Sequence, residues 1–236
     1  MTTTHVSRSR GYLITLEGID GTGKTLQSAL LCKALEQAGY NPLSTKEPSQ
    51  EVLKSIILDN NRLNPAAVFY LFMSDRIQHV HETIIPALTQ GKIVVSARYL
   101  DSTIAYQLFG HGEKLKQYGL TKKYLRETNL LAAGGVLPDL TILLDAPAEI
   151  GIKRSRLRKK NAPLDRFERL SLGFFRKARE GFLSIADSEP RVAVVDATLS
   201  IPEVHREILV CVAERLKLRL LCAASSPSSA CPEISD

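Results

Sequence analysis

The chain has 236 residues, of which 44% are hydrophobic and 24% are charged, with 31 basic against 25 acidic side chains. This length and composition exclude a collagen, a coiled coil and a wholly disordered chain, and they allow one large domain with its own core. No run of 18 apolar residues is present, so we expect no membrane span and no membrane partner. The net charge of +6 favours an anionic ligand.

Apolar runs and helical periodicities alternate along the chain. In chain order they predict a strand at 12–16, a helix around 29–35, a short strand at 42–46, helices over 52–57 and 65–88, and strands at 92–96, 140–144 and 191–195. Such alternation predicts an α/β fold with a parallel sheet and helices on both faces. Ligands of such sheets bind at the carboxyl ends of the strands.

The two ends of the chain differ from this pattern. Residues 1–10 are polar, lack the apolar core of a secretory signal and are expected to be flexible. Residues 220–236 are rich in serine and broken by proline, which favours disorder. The predicted domain therefore spans 11–219. The four cysteines show no metal-ligand spacing and no dense disulfide framework, which predicts a reducing, cytoplasmic compartment.

A glycine-rich loop follows the first predicted strand and matches the pattern G-x-x-x-x-G-K-[ST] in full. It reads Gly18-Ile19-Asp20-Gly21-Thr22-Gly23-Lys24-Thr25. Bare backbone N–H groups and a helix N-terminus bind the phosphates of a nucleoside triphosphate, Lys24 reaches the β- and γ-phosphates, and Thr25 is a ligand for Mg²⁺. A glycine turn without a ligand is the alternative, and the strand–loop–helix context disfavours it.

The chain has no N-K-x-D motif, and its third predicted strand, at 92–96, does not end in D-x-x-G, which argues against a GTPase. That strand ends instead in Ser96-Ala97-Arg98-Tyr99. A planar guanidinium at a strand end is suited to hold the dianionic phosphate of a nucleotide monophosphate. We therefore predict that Arg98 binds an anionic phosphate group, with a surface ion pair as the alternative.

Two pairs of residues four apart share helix faces and suit base recognition. Phe72 can stack on a base while Arg76 bonds its carbonyl, although Phe72 also fits a plain core residue. Thr103 and Gln107 can bond the base edge, or they face solvent. Glu47, before Pro48, is a candidate contact to the substrate or to the water shell of the metal, or an ordinary loop carboxylate.

A basic run at 153–160 contains six cations in eight residues. Cations that close over a transferring phosphoryl group lower the barrier, and Asn161-Ala162-Pro163 breaks the helix as a hinged lid requires. The alternatives are a solvated helix face and a nucleic-acid patch. No aromatic residues are interleaved with the cations, so we expect no nucleic-acid partner.

Five motifs follow one another along the chain, at 17–25, 46–48, 72–76, 97–107 and 164–168. In this order they resemble the thymidylate kinase family. The resemblance implies a P-loop nucleoside monophosphate kinase fold with a five-stranded parallel sheet, a short basic lid around 153–165 and a homodimer. It also implies the reaction of ATP with dTMP to ADP and dTDP, with Mg²⁺ and little need for a general base.

The resemblance also assigns roles to single residues. Arg98 aligns the acceptor phosphate with ATP, Phe72 and Arg76 bind thymine, and Tyr106 excludes a ribose 2′-hydroxyl. In some members of the family a catalytic arginine occupies the position of Gly21. Because this chain has glycine there, the resemblance assigns the catalytic arginine to the lid instead. Its candidates are Arg158, then Arg154 or Arg156, while Arg166 is a second phosphate contact.

The chain departs from the family pattern at Ala97, where members usually carry an aspartate near the metal. Thr25 and Asp20 are therefore the predicted metal ligands, with Glu47 or Asp101 as alternatives. Two other readings of the function stay open at this point. One is a kinase of another deoxynucleotide or deoxynucleoside, and the other is a nucleotide-binding homologue whose turnover is impaired by Ala97.

Overall fold

The computed structural model describes residues 10–60, 62–159 and 165–220. Three sequence expectations fall outside the described residues, wholly or in large part. They concern the N-terminal segment up to residue 9, the tail beyond residue 220 and the helix break at 161–163. The limits of the domain therefore stay a prediction.

Five parallel strands form one sheet in the order β2-β3-β1-β4-β5. They are β1 (Leu13–Glu17), β2 (Pro42–Lys46), β3 (Ile93–Ala97), β4 (Leu140–Asp145) and β5 (Val192–Asp196). The predicted parallel α/β sheet is confirmed. Three strands begin one residue later than their apolar runs, because hydrogen bonding to neighbouring strands sets strand ends.

Helices connect the strands and cover both faces of the sheet. They are α1 (Lys24–Gln37), α2 (Glu51–Asp59), α3 (Pro65–His79), α4 (Ile85–Thr89), α5 (Leu100–Thr103), α6 (Gly112–Lys116), α7 (Lys122–Ala132), α8 (Ala148–Lys159), α9 (Leu172–Ser188) and α10 (Ile201–Leu216). None of these described helices is long and apolar enough to cross a membrane.

Two π-helical segments interrupt the helical patterns. The helix predicted over 65–88 is α3 joined to α4 through the π segment Val80–Ile84, and α5 continues into a second π segment, Ile104–Gly110. A wider turn keeps the chain helical, so an apolar periodicity alone does not reveal it. The start of α3 follows the prediction, since Pro65 occupies the first turn and the Asn64 side chain accepts the N–H of Ala67 at 2.8 Å.

The sheet is buried on both faces. Along β1, Ile14 and Leu16 face an apolar cluster with α1 and α10, whereas Leu13 packs in a second cluster with Val80 and Ile84 on the other side. Burial of each such side chain contributes about 1.5–3 kcal/mol to stability. The strand order places the ends of β1 and β3 side by side, so the glycine-rich loop and Arg98 emerge at neighbouring positions.

Candidate active site

A cavity of about 330 Å³ opens between the phosphate loop, α3 and the turn after β3. It lies at the carboxyl ends of β1 and β3, where parallel sheets of this kind bind ligands. The predicted site residues that line it are Asp20, Gly21, Gly23, Lys24, Thr25, Glu47, Phe72, Arg76, Arg98, Thr103, Tyr106, Gln107 and Arg158. One cavity therefore brings together residues that the sequence assigned to two different ligands.

The phosphate loop needs glycine for steric reasons. Gly18 and Gly21 have φ angles of 137° and 82°, in the left-handed half of backbone space. A Cβ on Gly21 would lie 1.9 Å from the carbonyl oxygen of Gly151 in α8. Within the loop, the Thr22 hydroxyl donates to the carbonyl of Ile19 at 3.0 Å. The loop is thus closed by its own contacts and packs directly against α8.

Lys24 begins α1 and is almost fully buried. Its Nζ donates to the carbonyl oxygens of Gly18 and Ile19 at 2.9 and 2.6 Å. Burial, and then the nearby Arg98 cation, lower the pKa of Lys24 to about 7. Bound phosphates would favour the charged ammonium, so this side chain is suited to a polyanionic ligand.

The oxygen donors in the cavity fit Mg²⁺. Thr25 presents a hydroxyl next to Lys24, and Asp20 presents a carboxylate from the loop. Burial tends to raise the pKa of Asp20, but Arg98, Lys24 and Arg158 outweigh this effect and lower it. The described residues contain no cluster of three or more metal-binding side chains. Mg²⁺ bound through one or two protein oxygens, with phosphate and water as its other ligands, matches this set.

Arg98 points into the cavity from a left-handed turn, with a φ of 74°. Its Nη1 donates to the carbonyl of Gly18 at 3.4 Å and to the Ser102 hydroxyl at 3.3 Å, and its Nη2 pairs with Asp20. The guanidinium also lies over the Tyr106 ring, 5.2 Å from its centroid. It therefore stands at the boundary between the phosphate loop and the rest of the cavity.

Arg76 is held by a buried network. Its guanidinium donates to Glu47, to Thr103 and to Asn129, which leaves one N–H on Nη2 without a partner among the described residues. His79 approaches Glu47 at 3.3 Å from the opposite side. Glu47 and Thr103 thus orient Arg76 as well as lining the cavity.

Sequence reasoning missed Asn129 and His79, which complete this network. Asn129 lies on α7 and His79 at the end of α3, and both are buried. Neither belongs to a motif, and Asn129 is more than 50 residues from Arg76 along the chain. Only the packing of α7 against α3 brings it there, so the sequence carries no local signal for it.

The far end of the cavity suits a planar, partly polar group. Phe72 lines it and contacts the ring of Phe167, with 6.0 Å between the centroids. Gln107 is 1% exposed, and neither atom of its amide has a hydrogen-bond partner among the described residues. A buried unpaired amide facing a cavity is a strong sign of a missing ligand. Tyr106 also lines the cavity and contacts the Arg98 guanidinium with its ring.

The arginines of the basic segment differ in what they contact. Arg158 lines the cavity, whereas Arg154 donates to the carbonyl oxygens of Ala197 and Thr198. Arg156 is exposed and does not line the cavity. Arg166 donates to the carbonyl oxygens of Asn60 and Leu63 at 3.1 and 2.8 Å, and it too lies outside the cavity lining. Among the predicted candidates in α8, Arg158 is therefore the arginine best placed to reach a ligand.

Comparison with known proteins agrees with this arrangement. A family model described as Thymidylate kinase matches residues 16–208. The thymidylate kinase of Trichlorobacter lovleyi is 41% identical over 213 residues, covering 86% of this chain and 97% of the relative. Those of Synechococcus sp. (strain JA-3-3Ab) and Citrifermentans bemidjiense are 41% and 40% identical, covering 91% and 89% of this chain and 99% and 93% of the relatives. The chain therefore belongs to the thymidylate kinase family.

Proposed function

We propose that this enzyme transfers the γ-phosphoryl group of ATP to dTMP, giving ADP and dTDP. One observation carries the proposal beyond family membership. The Arg98 guanidinium lies 3.4 Å from the Gly18 carbonyl of the phosphate loop, in a cavity that continues to Phe72, Arg76 and Gln107. A donor and an acceptor bound in these two parts would meet with their phosphates adjacent.

On the donor side, the loop N–H groups and Lys24 bind the triphosphate. Lys24 already has its Nζ against the loop carbonyls, so only a short movement is needed for it to reach the phosphates. Arg158 reaches the same cavity from α8 and balances charge on the equatorial oxygens as the phosphoryl group moves. Thr25 and Asp20 would hold Mg²⁺, which supplies further charge neutralisation when bound.

On the acceptor side, Arg98 holds the monophosphate, and the base occupies the end near Phe72. The free N–H of Arg76 donates to a base carbonyl, and the Gln107 amide pairs with the remaining base edge. No covalent intermediate is needed, because positioning and charge stabilisation account for phosphoryl transfer of this kind. The intact set of cations argues against a homologue that binds nucleotide without turnover.

A panel of acceptors tests this assignment. We expect an ADP-release assay to rank dTMP first, with dUMP about 10-fold lower in kcat/KM because it lacks one methyl group. We expect dCMP to be at least about 100-fold lower, since a donor-only arginine opposes the amino group that cytosine carries in place of a thymine carbonyl. We expect dGMP to be comparably low because its two-ring base is larger than a pyrimidine. Equal rates with dCMP and dTMP would contradict the placement of Arg76 at the base carbonyl.

We also propose a homodimer formed through the outer surface of α3 and α7, called here the α3/α7 face. Four large apolar side chains stand exposed on it, Tyr70, Ile77, Tyr124 and Leu131. The hydroxyls of Tyr70 and Tyr124 are 3.0 Å apart, so the two helices present one continuous surface. Exposed apolar surface of this kind is typical of an interface.

Introducing a charge into the α3/α7 face should dissociate the dimer. Leu131 is 78% exposed, and Leu131→Glu is expected to shift the mass measured by analytical ultracentrifugation from dimer to monomer at micromolar concentration. Ile201→Glu is the matched control, because Ile201 is exposed at the start of α10, which packs on the opposite face of the sheet. A monomeric parent chain, or dissociation by both variants alike, would argue against this interface.

A further inference from the structure

We propose that Glu17 is a positioning residue for the phosphoryl transfer, because it holds the turn that aims Arg98 at the acceptor phosphate. The proposal rests on the role of Arg98 given above. Glu17 is the last residue of β1, its side chain is fully buried, and it does not line the cavity. It therefore acts through Arg98 rather than on a substrate.

The backbone at Arg98 is in a conformation that side chains rarely adopt. Its φ of 74° is strained for a residue with a Cβ, and surrounding contacts must hold it. The Arg98 N–H donates to the carbonyl of Leu16 at 3.0 Å, and the Ser96 hydroxyl donates to the carbonyl of Arg98 at 2.7 Å. These contacts fix the residue itself but not the chain that follows it.

The Glu17 carboxylate binds the backbone that directly follows this turn. One oxygen accepts the N–H of Tyr99 at 2.7 Å and that of Ser102 at 3.3 Å. These groups begin α5, whose N-cap residue Tyr99 makes no side-chain cap of its own. Glu17 thus caps α5 from a neighbouring strand, which places a carboxylate at the positive end of the helix.

A second contact connects Glu17 to the guanidinium itself. The Ser102 hydroxyl donates to the other Glu17 oxygen at 2.6 Å and accepts from Arg98 Nη1 at 3.3 Å. The carboxylate therefore fixes the orientation of the hydroxyl, and the hydroxyl fixes one edge of the guanidinium. Both the backbone and the side chain of Arg98 depend on one buried carboxylate.

Burial makes the Glu17 carboxylate costly to stability. The titratable and charged groups that face it are Asp101 on α5, Tyr106 in the π segment Ile104–Gly110, Lys24 on α1, Arg76 on α3, Arg98, and Arg191 before β5. Burial, and then Asp101, raise the pKa of Glu17 to about 7. Between pH 4.5 and 7 the folded chain retains a proton that the unfolded chain releases, so this group lowers stability as pH rises.

Kinetics of Glu17→Gln test the proposal. We expect kcat/KM for dTMP to fall about 10- to 100-fold, mainly through KM for dTMP, while KM for ATP is unchanged. At pH 8 the Tm of Glu17→Gln should exceed that of the parent chain, and the difference should be much smaller at pH 5 and vanish below pH 4.5. Thr15→Val, which removes another buried polar group from β1, is the matched control and should leave dTMP kinetics unchanged.

A double-mutant cycle with Arg98→Ala separates positioning from a general structural role. If Glu17 acts through Arg98, Glu17→Gln changes kcat/KM less than about twofold in the Arg98→Ala background. A full loss in that background, together with a lower Tm at both pH values, would overturn the proposal. Should Glu17→Gln fail to fold, Ser102→Ala removes the hydroxyl that joins the Glu17 carboxylate to the Arg98 guanidinium. It is measured in both backgrounds, with the same expected pattern.

Failure of this proposal and failure of the proposed role of Arg98 give different results. If Arg98→Ala alone leaves dTMP kinetics unchanged, the acceptor-phosphate assignment is wrong, and the role of Glu17 falls with it. If Arg98→Ala is impaired and Glu17→Gln matches the parent enzyme, only the positioning role of Glu17 is overturned.

Discussion

Replacing Arg158 by alanine is expected to lower kcat about 1,000-fold, with much smaller changes in KM for either nucleotide. A cation supplied to the transferring phosphoryl group is typically worth about 10³–10⁵ in kcat, and its contribution is largest in the transition state. Arg158 is the one of the three candidate arginines in α8 that lines the cavity. Steady-state kinetics with saturating ATP and dTMP measure the effect directly.

The neighbouring arginines provide the controls for this experiment. Arg154→Ala removes contacts to the carbonyl oxygens of Ala197 and Thr198, and Arg156→Ala removes an exposed side chain. Each changes the charge of α8 by the same amount as Arg158→Ala, and each is expected to change kcat less than about 10-fold. Similar losses in all three variants would mean that the basic segment acts through its total charge, and a large loss in Arg156→Ala alone would move the catalytic role there.

Replacing Arg98 by alanine is expected to lower kcat/KM for dTMP by about 10³–10⁴, while the enzyme still binds ATP. The variant removes a charge-assisted, two-pronged contact to the acceptor phosphate, and alignment of the two phosphates is lost with it. Calorimetric titration with ATP and the ADP-release assay measure the two effects separately. Arg98→Lys keeps the charge without the planar fork and should fall between the parent enzyme and the alanine variant.

Unchanged turnover in Arg98→Ala would contradict the acceptor assignment. Loss of ATP binding would instead indicate that Arg98 serves the phosphate loop, since it also contacts the Gly18 carbonyl and Asp20. Asp20→Asn distinguishes these cases, because it removes the ion pair and leaves the guanidinium in place. We expect this variant to retain dTMP binding.

The fold and much of the cavity were predictable because their signals are local. The apolar runs predicted four strands to within about one residue, and the segment at 42–46 was the candidate for the fifth. Glycines at fixed spacing indicated the geometry of the loop at 18–25. Arg98 was also predictable, because it follows a buried strand directly and strand ends of parallel sheets face the ligand. Each of these features depends on the sequence of a single segment, so it can be predicted without knowing which segments pack together.

The features that were not predictable depend on contacts between distant segments. Asn129 reaches Arg76 only because α7 packs on α3, and Glu17 caps a helix that begins more than 80 residues later. Arg98 has a left-handed φ although it is not a glycine, so its residue type does not indicate this conformation. The charge pattern of the basic segment does not distinguish Arg158 from Arg154. The difference between them is a tertiary contact, because Arg154 donates to the carbonyl oxygen of Ala197.

Arg98 already holds a carboxylate, that of Asp20, at the boundary between the two predicted phosphate sites. A group tethered to the same chain competes at a high effective concentration, so a free anion that binds the same Nη2 edge of the guanidinium must displace it. Inorganic phosphate or sulfate can replace the displaced carboxylate only through its own charge, whereas a nucleotide also gains binding contacts through its base and sugar. The ion pair thus serves as an internal competitor that protects the acceptor cation from simple salts.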